Sequence, residues 1–172
     1  VTSPLVIRQD DPAAAHVAPL LAMHLTELRG HMREFAFALD ATGLSAPDLT
    51  FWTAWRGEML AGFAALKRLD GEQAEVKSMR AAPAARRTGV GRALLMHVIG
   101  EARARGYRVL HLETGTADLH APAVALYHSA GFVDAGPFAD YQPSPHNRFM
   151  SLTLRGDLCR STCKEPACPS SS

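Results

Sequence analysis

The sequence predicts an α/β domain: a mixed, mostly antiparallel central sheet with one parallel βαβ unit and flanking helices. Three observations lead there. Apolar residues make up 47% and charged residues 20% of the 172, the balance of a chain with a globular core. Residues 51–81 fall into three strand-like runs parted by Arg56-Gly57-Glu58 and Asp70-Gly71-Glu72, the pattern of an antiparallel meander. An amphipathic helix and another strand follow, so the third run, the helix and this strand form a right-handed crossover.

In order along the chain, Leu5–Arg8 reads as a short strand. Asp10-Asp11-Pro12 offers capping acids and a first-turn proline, so a helix is expected from Ala13 to about Arg29. Val17, Leu20, Leu21, His24, Leu25 and Leu28 share one of its faces. Gly30 is expected to interrupt it, and a second helical stretch runs from His31 to about Leu39. The meander strands are Phe51–Trp55, Met59–Leu69 and Ala74–Ala81. After a loop over 82–91, the helix Arg92–Arg105 puts Leu94, Leu95, Val98, Ile99 and Ala102 on one face and stops at Gly106. The strand Tyr107–Glu113 alternates, with Val109, His111 and Glu113 on one face and Leu110 and Leu112 on the other. Pro122 opens a helix to Ser129, Phe132-Val133 begins a strand, 138–147 is a loop, and Phe149–Leu154 is the last strand.

Residues 1–155 are expected to form one domain and 156–172, polar and rich in Pro and Ser, a disordered tail. The three cysteines, Cys159, Cys163 and Cys168, all fall in that tail, and their spacing matches no common zinc pattern. His24 and His31 lie seven apart on one helical face without a third ligand, so no metal is expected. Eighteen basic against seventeen acidic residues give a net charge of +1, which disfavours nucleic acid as the main partner despite Arg80, Arg86, Arg87, Arg92, Arg103 and Arg105. No apolar run approaches the ~18 residues of a membrane span, and the first residues lack the pattern of a secretory signal. The expected location is cytoplasmic, with no membrane partner.

The chemistry concentrates in Arg86-Arg87-Thr88-Gly89-Val90-Gly91, between a strand and a helix start. Glycines let backbone N–H groups turn inward, the helix N-terminus adds unpaired amides and a positive dipole end, and Arg86, Arg87 and Arg92 add charge. That is the physical recipe for a phosphate cradle, the plain alternative being a glycine-containing strand–helix turn with solvated arginines. It lacks the Gly-Lys of a Walker loop and the full G-x-G-x-x-G of a dinucleotide fold.

The string Glu75-Val76-Lys77-Ser78-Met79-Arg80, then R-R-T-G-V-G-R-A-L-L, then Leu126-Tyr127-His128-Ser129-Ala130-Gly131-Phe132 resembles the GNAT superfamily of N-acetyltransferases. The resemblance spans about Leu5 to Leu154. The phrases F-W-T-A-W, E-V-K-S-M-R, L-E-T-G and G-P-F-A-D-Y are similar to those of a bacterial YsnE-like subgroup. The resemblance implies acetyl-CoA as cosubstrate, with its pyrophosphate on the amides of Arg87, Thr88, Gly89, Val90, Gly91 and Arg92. Its pantetheine arm would lie between the strands Ala74–Ala81 and Tyr107–Glu113. The amide near Met79 would hold the thioester carbonyl. His120 stands where the family often has an asparagine that contacts the cofactor arm.

Direct transfer to an amine needs a group that takes a proton from the ammonium and one that protonates the leaving thiolate. Tyr127 occupies the family's usual acid position; its plain structural role would be packing against the sheet. Glu75, fourteen residues before Gly89, holds the register of the strand glutamate that serves as base in some members. Otherwise it would be a carboxylate paired with Lys67 or Arg80. Glu113 and ordered water are the other base candidates. Met23, His24, Phe35, Phe37, Trp52 and Tyr141 are candidates for an acceptor pocket. The expected activity is N-acetylation of a small-molecule amine or amino acid in a ternary complex, with a homodimer as the candidate assembly. The rival reading is a non-catalytic acyl-CoA-binding or regulatory module on the same fold.

Overall fold

The structure is a computed structural model that describes residues 3–32 and 40–154, with side chains at 3–27 and 40–154. Its strands are β1 (Leu5–Gln9), β2 (Leu49–Arg56), β3 (Met59–Arg68), β4 (Gln73–Ala81), β5 (Val109–Gly115), β6 (Val133–Ala135) and β7 (Asn147–Thr153). Its helices are α1 (Ala18–Met32), α2 (Ala41–Leu44), α3 (Val90–Ala104) and α4 (Ala121–Ser129). The strands form one sheet in the order β1-β2-β3-β4-β5-β7-β6. Every neighbouring pair is antiparallel except β4 and β5, joined by the α3 crossover. The mixed sheet expected from the sequence is present.

Two apolar layers cover it. On one face α3 buries Leu94, Leu95, Val98 and Ile99 against Leu66, Val76, Leu110, Leu112 and Met150. On the other, Val17, Leu20 and Leu21 pack with Leu44, Phe51, Phe63 and Ala65. Each fully buried leucine contributes ~1.5–3 kcal/mol by leaving water. The α3 stripe and the alternation of β5 are those read from the sequence.

The first helix differs from expectation at both ends. Asp11 Oδ1 accepts the Ala13 N–H at 2.8 Å, and the carbonyl of Asp11 accepts from Ala14 at 3.0 Å, closing a turn. Asp10 is drawn off to β2, where its Oδ2 accepts from Thr53 Oγ1 at 2.7 Å. The helix therefore starts at Ala18. It then runs unbroken through Gly30. A mid-helix glycine costs only ~1 kcal/mol against alanine, and the buried Leu20 and Leu21 outweigh that. The second helical stretch expected over 31–39 is not separate at its start, since His31 and Met32 belong to α1. Its remainder, with Phe35 and Phe37, lies outside the described residues, as does the tail with its cysteines.

The sheet has two irregularities that shape the site. β4 and β5 pair at only three positions, Gln73↔Val109, Ala74↔Leu110 and Glu75↔His111, and diverge beyond them. On its other side β4 carries a bulge against β3: Lys77 pairs with Ala65 and Arg80 with Phe63, so Ser78 and Met79 have no partner in either neighbouring ladder. Ser78 takes φ +48° to make the bulge. The strands press closely there, since a Cβ at Gly62 would lie 2.5 Å from the carbonyl oxygen of Arg80.

Candidate active site

The divergence of β4 and β5 opens a cleft of about 880 Å³, bounded by the 86–92 loop, α1 and α4. Of the residues singled out in the sequence, Glu75, Met79, Arg86, Arg87, Gly89, Gly91, Arg92, His120 and Tyr127 line it, whereas the side chain of Val90 is buried in the core and Thr88 lies outside the lining.

At one end stands the loop. Arg87 has φ +60° and Gly89 φ +85°, so the chain turns twice through left-handed conformations before α3 begins at Val90. The Thr88 hydroxyl donates to the Ala85 carbonyl at 2.7 Å, and Arg56 Nη2 donates to the Thr88 carbonyl at 2.9 Å. The first amides of α3 have no partner within the helix. A Cβ at Gly89 would meet nothing within 4 Å, and one at Gly91 only Leu126 Cδ2 at 3.5 Å. The space in front of these amides is open, and the side chains of Arg86 and Arg87 are exposed beside it. This end fits an anionic phosphate group. Arg56 was not legible as part of it, because its contact spans 32 residues.

In the middle of the cleft the bulge changes the phase of β4. Glu75 and Lys77 turn to the α1 side, as alternate residues of a strand do. The extra residue then puts Arg80, rather than Met79, on that side, where its guanidinium grips Glu27 of α1 at 2.9 and 2.7 Å. The Ser78–Met79 segment, released from both ladders, lines the cleft. Across from it, α4 brings Tyr127, whose phenol burial pushes up to about 12. His120 ends a short turn before α4, and a Cβ on Gly115 would lie only 2.4 Å from its ring. The glycine is what lets this imidazole lie against the end of β5.

At the inner end lie charges. Glu75 is 2% exposed. Its Oε1 accepts from Lys77 Nζ at 2.9 Å and from the Tyr141 hydroxyl at 2.6 Å, and Lys77 also donates to Tyr141. Lys67 and Arg80, the partners weighed for Glu75 from sequence, are occupied by Asp48 and Glu27 instead. Tyr141 arrives on the 136–146 strap, with Phe138 stacked on His111 at 4.7 Å and Tyr141 near Phe149. Burial, and the nearby Glu75 charge, push the Tyr141 phenol far up. Glu113 is the other carboxyl. Burial first, and then Glu75, raise it to about 7 against the pull of Lys77, and its Oε1 has no hydrogen-bond partner. Lys77 could have been found from its spacing, two residues after Glu75 on one strand. The state of Glu113 could not, because it depends on burial by distant segments.

Of the acceptor-pocket candidates, His24 lines the cleft, 8% exposed, with Nε2 unpartnered and its pKa lowered to about 4 by burial. Trp52 does not. It belongs to the layer on the α3 face, edge-on to His97 at 5.2 Å, because its strand position points it there. Met23 is 40% exposed and outside the cleft lining. The side chain of His31 lies outside the described residues. Among the described residues no cluster of three His, Cys, Asp or Glu is placed to hold a metal ion, and no helix is long and apolar enough to cross a membrane.

The splayed parallel pair, the bulged strand and the loop at the start of α3 sit together in one cleft, and comparison with known proteins shows the class of protein to which this fold belongs. The GNAT acetyltransferase family model matches residues 17–132, and the chain belongs to that family. It is 44% identical to the uncharacterized N-acetyltransferase YedL of Escherichia coli (strain K12) over 149 residues, covering 86% of this chain and 94% of that one. It is 42% identical to the uncharacterized N-acetyltransferase YsnE of Bacillus subtilis (strain 168), covering 86% and 99%. Among solved structures, the proposed acyl-CoA N-acyltransferase of Klebsiella pneumoniae subsp. pneumoniae MGH 78578 superposes with a TM-score of 0.72 at 25% identity, over 88% of this chain and 98% of that one.

Proposed function

We propose that this N-acetyltransferase moves the acetyl group of acetyl-CoA directly to an amine in a ternary complex. The amides of 87–92 would hold the pyrophosphate with Arg86, Arg87 and Arg92 as counter-charges, His120 would border the cofactor arm, and the Met79 amide would meet the thioester carbonyl. When bound, acetyl-CoA supplies an activated acetyl thioester. The amine's C–N bond forms as the thioester C–S bond breaks. The ammonium loses two protons overall; one leaves through a carboxylate to solvent, and the other balances the proton that Tyr127 gives the thiolate. A phenol held at about 12 keeps its proton through the neutral range and stays a donor.

The observation that supports the base assignment is the place of Glu113: a half-buried carboxyl on the cleft wall whose Oε1 is buried without a hydrogen-bond partner, and which burial pushes up to about 7. A base works best with a pKa near the operating pH. Glu75 is the second candidate, on its strand register and its place beside Glu113; proton transfer to its Oε1 would compete with Lys77 and Tyr141. The test is thiol release from acetyl-CoA across an amine panel, with mass spectrometry of the products. Wild-type enzyme is expected to release thiol and yield an acetylated amine. A protein that binds acetyl-CoA yet releases no thiol with any amine would be the non-catalytic module instead. Comparing Glu113→Gln with Glu75→Gln assigns the base to whichever variant is slowed and loses the break near pH 7 in the pH–rate profile.

A further inference from the structure

Four side-chain atoms along the cleft are buried without a hydrogen-bond partner: Nε2 of His24, Oγ of Ser78, Nε of Arg80 and Oε1 of Glu113. The first three belong to α1 and the distal half of β4; the fourth stands on β5, across the splay. A buried polar group left unpaired costs ~1–3 kcal/mol, so a set of them facing one cleft describes what the cleft is built to take. Three of the four suit a neutral polar group. Arg80 Nε is a donor, and the Ser78 hydroxyl and an uncharged imidazole each give or accept. Glu113 Oε1 is an acceptor, suited to an ammonium.

The cations here are already matched. Arg80 is bound through both terminal nitrogens to Glu27, and Lys77 is bound to Glu75. Burial keeps His24 neutral. Arg86 is exposed and lies 3.8 Å from Glu27, and Arg87 and Arg92 line the cleft from the loop that opens α3. Among the described residues, the cations beside Glu75 and Glu113 at the inner end are the ones already bound, so a carboxylate entering there would meet two acidic groups.

We infer, building on the amine-acetylating reading above, that the acceptor is an α-amino amide: an amine whose adjacent carbon carries a neutral carbonyl, as at a peptide N-terminus. Its ammonium meets Glu113 Oε1. Its carbonyl oxygen takes the Arg80 Nε–H and the Ser78 hydroxyl, and its amide N–H reaches His24 Nε2. A free α-amino acid places a negative charge where the one cation, Arg80, is already bound to Glu27 and the other partners are uncharged, and a plain alkylamine leaves three polar atoms unpaired.

The test compares L-alaninamide, L-alanine and isopropylamine as acceptors for wild-type enzyme, by kcat/KM. Alaninamide is expected to exceed each of the others at least tenfold, about 1.4 kcal/mol. Alanine or isopropylamine used as well as the amide would overturn the inference while leaving the transferase reading intact. Failure of all three, with turnover of other amines in the wider panel, would overturn it as well. The second arm uses His24→Leu and Ser78→Gly, the latter suited to the positive φ of that position. In each the ratio of alaninamide to isopropylamine is expected to fall at least threefold, with His24→Gln keeping more of it than His24→Leu. An unchanged ratio in both folded variants would remove these atoms from acceptor recognition.

Discussion

Glu113 is unusual for a carboxylate, because burial pushes it in the folded protein to about 7, above its ordinary value of 4.5. A base must be ionised to work, so kcat/KM is expected to fall as pH drops through about 7. In Glu113→Gln the break at about pH 7 should vanish, with activity at pH 7 down ~10²-fold or more and rising tenfold per pH unit through that range as free amine forms unaided. Stability has its own sign. The folded state binds this proton more tightly than the unfolded chain does, so ionisation between about pH 4.5 and 7 removes stability as pH rises. Calorimetry of Glu113→Gln is therefore expected to show a Tm that gains on wild type at pH 8 relative to the same comparison at pH 5. An equal difference at both pH values would mean that the carboxyl titrates normally. Tyr127 behaves oppositely in time: held at about 12, it contributes no alkaline limb below pH 10. Tyr127→Phe should lower kcat by roughly 10²-fold with KM for acetyl-CoA little changed, and a full-rate variant would leave this tyrosine only its packing against Phe132.

At the scale of elements, the start of α3 separates two glycines that look alike in sequence. Gly89 has φ +85°, where any other residue is strained whatever room it has. Gly91 lies inside the helix, and a Cβ there would make only an ordinary contact with Leu126. Gly91→Ala is thus the cleaner probe. It is expected to hold or raise Tm, since alanine favours a helix by ~0.5–1 kcal/mol, yet to weaken acetyl-CoA binding at least tenfold by titration calorimetry. Unchanged affinity would take the pyrophosphate away from these amides. The same scale shows what was legible. The α3 stripe of Leu94, Leu95, Val98 and Ile99 was, because helical periodicity is written into a local run and all four are buried. So was β5, through its alternation. The start of α1 was not: Asp10 offers the same oxygen to a helix cap and to Thr53, 43 residues away, and only the fold decides which. The bulge at Ser78 was equally hidden, since nothing in E-V-K-S-M-R marks where one strand must slip against its neighbour. The site was half legible for that reason. Its loop is a local motif, whereas the Glu75–Lys77–Tyr141 contact joins segments more than sixty residues apart.

Across the whole molecule the sheet is two antiparallel blocks, β1–β4 and β5–β7, joined by three parallel pairs. The backbone of Arg108 touches both: its N–H donates to the Glu72 carbonyl at 2.7 Å, and its own carbonyl accepts from Leu154 at 2.7 Å. Tyr141 adds a second tie by reaching from one block to Glu75 and Lys77 in the other. Hydrogen exchange should therefore find the amides of Ser78 and Met79 among the faster ones of β4 in the free protein, and slowed when acetyl-CoA is added. Protection there without ligand would mean that the splay is closed in solution. The junction also has a mechanical meaning. Tension applied across the sheet, from an anchor on β1 to one on β7, meets long ladders everywhere except at this seam. Three residue pairs, the Arg108 backbone, the His111–Gln73 bond and one phenol would bear the load, so the molecule should part along the line where its chemistry happens, each block coming away with its own strands still paired.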